Sequence, residues 1–341
     1  MKTILVIRSS AMGDVAMTAP VLRALSERYG EQVKVVMLTR EFYEPFFEGI
    51  SGLEIFNIDL AEQHNGVRGV YRLFCQLQQA YRLDMVIDLN YKLYSRLLRN
   101  FFRLAGIKTY HIDKGRAEKK MITRNKNKHL VQLKSSIERY ADVFRVAGLP
   151  IQVPNVLPPR AVRAVPAMAG PKGERWVGIA PFAKHQGKVL PMATIRLVIE
   201  QLTAWDPTIR IFIFGGGRAE KMVARSLEAW YSNCTSVIGA LTLEGEMDMI
   251  ASLDVMLSMD SSAMHMSSLL GVRVVSVWGA THPYAGFLGL GQSLSDVVQV
   301  DSLPCRPCSV YGHKPCMRGD WACMQQITPE VIVSRLVSLL W

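Results

Sequence analysis

The most constraining feature of this 341-residue chain is a strand–helix alternation that runs from the N-terminus, stops, and starts again. Residues 4–8 form a continuous apolar run. Residues 18–29 follow with Val21, Leu22 and Leu25 at helical spacing and Gly30 as a stop. Further strands are expected at 33–38 and 84–89, and further helices at 68–81, 93–104 and 135–147. Apolar runs without polar alternation mark strands buried on both faces, hence parallel sheets with helices on both sides. Between 149 and 171 six prolines (150, 154, 158, 159, 166 and 171) interrupt the pattern, as a linker does. It then resumes, with strands at 176–180, 209–214, 255–259 and 272–278 and helices at 192–204, 218–230, 245–253 and 263–270. An apolar helix at 329–341 closes the chain. The expected architecture is α/β, two βα domains of similar size at 1–160 and 161–326, with residues 327–341 as a terminal helix.

With 49% hydrophobic and 20% charged residues, the composition is that of an ordinary globular protein and excludes disorder. No segment repeats at a fixed period, which argues against a solenoid or propeller. The longest charge-free stretch, 274–295, is interrupted by glycines, a proline, a histidine and hydroxyls, unlike a membrane span. The apolar run at 4–7 is too short for a signal peptide. A soluble, cytoplasmic protein is therefore expected.

The net charge of +11 is localised. Residues 1–160 carry 25 Lys and Arg against 15 Asp and Glu, and residues 92–134 carry thirteen against two. A basic face on one domain suggests an anionic partner: nucleic acid, a phosphorylated glycolipid or an acidic membrane surface. The plainer alternative is a solvated helical face plus a basic loop. No nucleic-acid motif or regular aromatic spacing accompanies the charge, so a nucleic-acid partner is not expected.

Open α/β sheets bind ligands at the carboxyl ends of their strands, and two such domains place the expected site in the cleft between them. The turn Arg8-Ser9-Ser10-Ala11-Met12-Gly13-Asp14 leads from the first strand into a helix with backbone N–H groups free for an anion or a hydroxyl-rich ligand. It lacks the G-x-G-x-x-G of a dinucleotide site. Asp14 stands where a helix N-cap would, and can equally be a carboxylate facing the cleft and acting as a base. The turn 181–191 carries Lys184 and Lys188, able to neutralise a diphosphate. Gly215-Gly216-Gly217 permit close backbone approach to a nucleotide, with Glu220 able to accept ribose hydroxyls. Asp260-Ser261-Ser262 ends a strand and opens a helix. His265 either faces that site or packs inside. The stretch 278–284 is a further polar strand end. Lys92, Arg96 and Lys120, from the basic stretch, are candidates for holding an anionic partner.

Four of the six cysteines lie between 305 and 323. Cys305, Cys308, Cys316 and Cys323 could close a zinc site, but the second C-x-x-C of a zinc ribbon is missing. Reduced, partly buried thiols are the expectation and structural zinc the weaker alternative; no catalytic metal is expected.

Together these turns resemble the heptosyltransferases, family 9 of the glycosyltransferases. The resemblance lies in Ile-Arg-Ser-Ser-Ala-Met-Gly-Asp (7–14) followed by 15–22, the Lys188 turn, the Asp260-Ser-Ser-x-x-His turn, Val-Trp-Gly-Ala-Thr-His-Pro (277–283) and the cysteine cluster. It implies a GT-B architecture: two Rossmann-like domains facing a central cleft, the first for the acceptor and the second for the nucleotide sugar. The last helix would return to the first domain. It further implies an inverting, metal-independent transfer from ADP-heptose to a lipopolysaccharide inner-core acceptor, with no cofactor. On that mapping Asp14 is the general base, Lys188 and Lys184 hold the diphosphate, and Gly216 and Glu220 approach the ribose. Asp260, Ser261, Ser262 and His265 hold the sugar and phosphates. Ser10, Met12, Gly13, Lys92, Arg96 and Lys120 face the acceptor. The chain departs from the common pattern at Ser262, where many members have glycine. The implied partners are an anionic glycolipid, lipid A or a core precursor, and the inner face of an anionic membrane, met by a monomer. The alternatives are a different nucleotide-sugar donor, a GT-B sugar-nucleotide epimerase, or a non-enzymatic polyanion-binding protein.

Overall fold

The computed structural model describes residues 1–158, 160–173 and 175–341, so Pro159 of the proline-rich stretch lies outside the described residues. The chain divides into two compact units: Met1–Lys114 with Ser135–Pro154, and Gly115–Lys134 with Asn155–Trp341.

The first unit is built on five parallel strands, β1 (Lys2–Ile7), β2 (Val33–Thr39), β3 (Leu53–Asn57), β4 (Met85–Asp88) and β5 (Lys108–His111), in the order β3-β2-β1-β4-β5. Ile4, Leu5, Val6 and Ile7 of the central strand are all fully buried, which is why that segment reads as unbroken apolar sequence. Leu5, Ile7, Val36, Leu38 and Val86 form one core with Leu73 and Leu77 of helix Gly66–Ala80 and Leu98 and Phe102 of helix Leu93–Leu104.

The second unit has six parallel strands, β6 (Trp176–Ala180), β7 (Arg210–Ile213), β8 (Cys234–Ser236), β9 (Val255–Met259), β10 (Arg273–Trp278) and β11 (Val297–Gln299), in the order β11-β10-β9-β6-β7-β8. Val177, Ile179, Ile211, Ile213, Val255 and Leu257 pack against Ile195, Ile199 and Leu202 of helix Met192–Trp205.

Two expectations about organisation are corrected. Residues 115–134 belong to the second unit, not the first. Ile122 and Leu133 pack with Ala285, the Leu133 N–H donates to the Tyr284 carbonyl at 2.9 Å, and the Lys119 ammonium lies 4.4 Å from the Phe287 ring centroid. The basic stretch 92–134 is therefore divided between the two units. Likewise, helix Pro329–Leu340 packs on helix Met192–Trp205 and sinks Ile332 and Leu336 into the core of the second unit, where the resemblance had it return to the first. Leu336→Ala is accordingly expected to cost about 2–5 kcal/mol through lost burial and the cavity left behind. Chemical denaturation of the purified variant checks this, and an unchanged midpoint would mean that the helix is not part of that core.

The strand orders set where a ligand can bind. In the first unit the chain moves outward from β1 in one direction, then returns to start again at β4, its other neighbour. In the second unit β6 and β9 play the same parts. Each pair is a switch point, where the connections leaving the carboxyl ends diverge and open a crevice.

Candidate functional site

At the switch point of the first unit, Ile7 and Asp88 are paired in register, so the turns that follow β1 and β4 lie side by side. The first begins with Arg8, whose guanidinium is 5% exposed. Its Nη1 donates to the Leu89 carbonyl at 2.5 Å, its Nη2 meets Asp14 Oδ2 at 2.5 Å, and its face lies 5.5 Å from the Tyr140 ring centroid. The Tyr140 hydroxyl in turn donates to the Asp14 carbonyl at 3.4 Å. Asp14 is the third residue of the short helix Met12–Ala16, which begins after Ala11; it is not the N-cap. Its Oδ2 also accepts the Ala11 N–H, at 3.4 Å. Both contacts fall on Oδ2 of a side chain that is 34% exposed, which leaves Oδ1 for an incoming hydroxyl.

The second turn is braced by Asp88. This fully buried carboxylate accepts the N–H groups of Asn90 and Tyr91 at 2.9 and 2.7 Å and the Ser95 hydroxyl at 3.1 Å, with Arg99 at 3.5 Å. Burial raises its pKa, against those hydrogen bonds and the Arg99 charge. Asn90 donates to the hydroxyls of Ser9 and Tyr94, which also bond each other, and Lys92 Nζ donates to Ser10 Oγ at 2.7 Å. Beyond them the Tyr91 ring stacks on His111, centroids 4.9 Å apart, and carries Arg96 and Arg99 each 5.4 Å from its centroid. The His111 pKa is lowered by burial and by Arg99, so its imidazole is neutral at neutral pH.

The second unit repeats this design with different chemistry. Lys188, from the turn after β6, reaches Asp260, at the end of β9. Its Nζ lies 2.8 Å from Oδ2 and donates to the Asp260 carbonyl at 3.2 Å, with the two side chains 14% and 6% exposed. Two of the three ammonium donors are thus committed, leaving one for a ligand. Asp260 Oδ2 also accepts the Thr281 hydroxyl at 2.8 Å. The turn is held close because Gly187 and Gly279 carry no side chain. A Cβ on Gly187 would lie 2.7 Å from Ala280 Cβ and 2.7 Å from the Trp321 ring, and one on Gly279 would lie 2.1 Å from Met324 Sδ. Helix Ser262–Leu269 starts at the same edge, with Ser261 Oγ 3.2 Å from Ser258 Oγ. After β7, Glu220 Oε2 accepts the Gly216 N–H at 2.7 Å and so shapes the glycine turn.

Arg306, to which sequence reading gave no role, supports the turns at the carboxyl edge of the second sheet. This buried guanidinium donates to the carbonyls of Trp278, Gly279, Thr281 and Val300 and to Gln299 Oε1, at 2.6–3.2 Å. It thereby fixes the turn that carries Thr281. Lys128 secures the next layer, donating to the carbonyls of Pro304, Arg306 and Pro307. His282, beside it, has its pKa pushed down to about 4 by burial and by Arg306. It stays a neutral acceptor for the Tyr284 N–H at 3.1 Å.

Among the expected residues, Ser10, Met12, Gly13, Asp14, Lys92 and Arg96 gather at the carboxyl edge of the first sheet. Lys184, Lys188, Gly216, Glu220, Asp260, Ser261 and Ser262 gather at that of the second. Lys120 belongs to the second unit, where it is exposed on helix Arg116–Thr123, whereas Lys92 and Arg96 belong to the first. His265 is buried inside its helix, at 7% exposure. Cys305, Cys308, Cys316 and Cys323 are unpaired and line one cavity of about 20 Å³. Burial raises the Cys308 pKa and pushes Cys323 up to about 11. Among the described residues no three His, Cys, Asp or Glu side chains are grouped to hold a metal ion.

A family model described as glycosyltransferase family 9 (heptosyltransferase) matches residues 70–315. A lipooligosaccharide heptosyltransferase 2 of Campylobacter jejuni is 26% identical over 134 residues, 38% of this chain; the match spans only 40% of that relative. Among solved structures, a family 9 glycosyltransferase from Veillonella parvula superposes with a TM-score of 0.76 at 16% identity, covering 99% of this chain and 97% of that one. An E. coli heptosyltransferase bound to ADP gives 0.68 at 19% identity, covering 99% of both chains. At these identities the likeness speaks for the fold, two parallel-sheet α/β domains of the GT-B kind.

Proposed function

Because the chain belongs to glycosyltransferase family 9, we propose that it transfers a heptose, or a related sugar, from an ADP-sugar to a lipopolysaccharide inner-core acceptor. The transfer is inverting and uses no metal or other cofactor. The observation that carries this reading is the pairing of Lys188 with Asp260 across the switch point of the second sheet, at 2.8 Å. A half-buried ammonium with one donor to spare, beside a helix N-terminus and the exposed Lys184, suits the diphosphate of a departing nucleotide. Glu220 and the glycine turn that it shapes suit the ribose. That the E. coli relative binds ADP supports adenine over other bases.

In direct displacement the leaving diphosphate gains negative charge while the anomeric carbon becomes electron-poor. The acceptor hydroxyl then gives up its proton late, and a carboxylate held in place suffices to take it. Asp14 fills that part, with Oδ2 fixed by Arg8 and the side chain 34% exposed. Ser10, Lys92, Arg96 and the Tyr91–His111 stack at the same edge suit a phosphorylated or carboxylated sugar. The acceptor is presented from an anionic membrane that the protein contacts peripherally as a monomer. No helix among the described residues is long and apolar enough to cross a membrane.

Calorimetric titration with ADP, UDP and GDP tests the donor half. Selective ADP binding is the expected result. A preference for UDP or GDP would overturn the ADP-sugar assignment while keeping the fold.

A further inference from the structure

Two helices of the first unit carry an unusual surface. Helix Gly66–Ala80 and helix Leu93–Leu104 pack side by side through Phe74, Phe101 and Phe102, with the Tyr71 and Phe101 rings edge to face, centroids 5.5 Å apart. Neither helix contains an aspartate or glutamate, and together they hold Arg68, Arg72, Arg96, Arg99 and Arg103. Leu93 and Leu104 stand out from one helix, with the partly buried Leu97 and Phe101 between them at helical spacing, and Val67 and Tyr71 stand out from the other. Leu93 and Leu104 are each 82% exposed, Val67 65% and Tyr71 54%.

Exposed aliphatic side chains singly need no explanation, but a rigid stripe of them edged by the exposed Arg68, Arg72 and Arg103 does. Their aromatic support keeps the stripe from collapsing inward. We infer that this two-helix face seats the protein on an anionic lipid bilayer, Leu93, Leu104, Val67 and Tyr71 entering the headgroup boundary while the arginines pair with lipid phosphates. Such a combination is that of an interfacial amphipathic surface. A nucleic-acid partner fits less well, because bases stack on aromatic faces and this surface offers mainly aliphatic groups; Tyr71 already has its neighbour in Phe101. The inference deepens the peripheral-membrane part of the proposed function by giving it a surface.

Each arginine near an anionic membrane contributes about fivefold in binding. Co-sedimentation of the full chain with phosphatidylcholine vesicles, with and without phosphatidylglycerol, provides the test. The wild type is expected to bind only the anionic vesicles. The triple variant Arg68→Ser/Arg72→Ser/Arg103→Ser should lose on the order of a hundredfold, and Val67→Ser/Leu104→Ser should also bind more weakly. A thermal melt of the same samples reports folding, and ADP titration tests the donor reading separately. Vesicle binding without ADP binding would sustain the face and sink the donor reading; the reverse would do the opposite. Absence of vesicle binding by the wild type overturns the inference, as does a triple variant that binds like the wild type. So would double-stranded DNA binding of equal strength that is indifferent to the Val67→Ser/Leu104→Ser change, since the surface would then be a general polyanion site.

Discussion

Asp14→Asn is expected to lower kcat by about 10²–10⁴-fold, the usual contribution of a positioned general base, while ADP binds as tightly as to the wild type. The separation follows from the architecture. Asp14 belongs to the first unit and the proposed diphosphate site to the second, so the substitution leaves Lys188 and Asp260 untouched. Stability should fall modestly, by about 1.5–3 kcal/mol for a charged hydrogen bond. Arg8 loses its anionic partner but keeps the Leu89 carbonyl at 2.5 Å and the Tyr140 face. Turnover measured with saturating donor, beside an ADP titration and a thermal melt, distinguishes these effects. Near-normal turnover would remove Asp14 from the reaction, and joint loss of turnover and ADP binding would point to misfolding.

How far such a site can be read from sequence depends on what buries each segment. The seven strands expected from apolar runs, those corresponding to β1, β2, β4, β6, β7, β9 and β10, are all present, and each lies inside its sheet. The four not anticipated, β3, β5, β8 and β11, are the four edges. Their sequences, Leu-Glu-Ile-Phe-Asn, Lys-Thr-Tyr-His, Cys-Thr-Ser and Val-Val-Gln, mix polar and apolar residues because one side of each strand lacks a partner and meets solvent. An interior parallel strand leaves a signature in composition; an edge strand leaves little. The same logic explains why residues 115–134 were assigned to the wrong unit. Lysines and arginines dominate that segment, whereas its attachment rests on Ile122, Leu133 and backbone bonds that no periodicity announces.

Within the site, turn residues were legible because glycine, small residues and a charge after a strand are local signals. Supporting residues were not. Arg8 sits in plain view beside Asp14, yet only the fold shows that its guanidinium is buried and aimed at Oδ2. Asn90 and Tyr94 reach Ser9 across more than eighty positions of sequence, and only the β1–β4 register joins them. Arg306 is hidden among cysteines that drew attention toward metal chemistry. Its role is to tie together carbonyls of the Thr281 turn. A buried arginine satisfied by carbonyls has no sequence pattern of its own.

The Lys188–Asp260 pair allows a separation of structural from functional loss. Removing one member of a buried ion pair costs about 3–5 kcal/mol, because the other charge is left without compensation. Lys188→Met should therefore destabilise the second unit by that amount, with Asp260 stranded at 6% exposure. It should also reduce transfer about 10²–10³-fold through loss of a donor to the departing diphosphate. In the double variant Lys188→Met/Asp260→Asn neither charge remains, and the Thr281 hydroxyl still has an oxygen to donate to. Most of the lost stability should return. Transfer should not return, since the Lys188 donor to the departing diphosphate is still missing. Denaturation curves and turnover of the two single variants and the double variant form a complete cycle. Stability that fails to recover would mean that the pair is not the source of the cost. Transfer that recovers along with stability would show Lys188 to be a structural residue, leaving the diphosphate to Lys184 and the amides that open helix Ser262–Leu269.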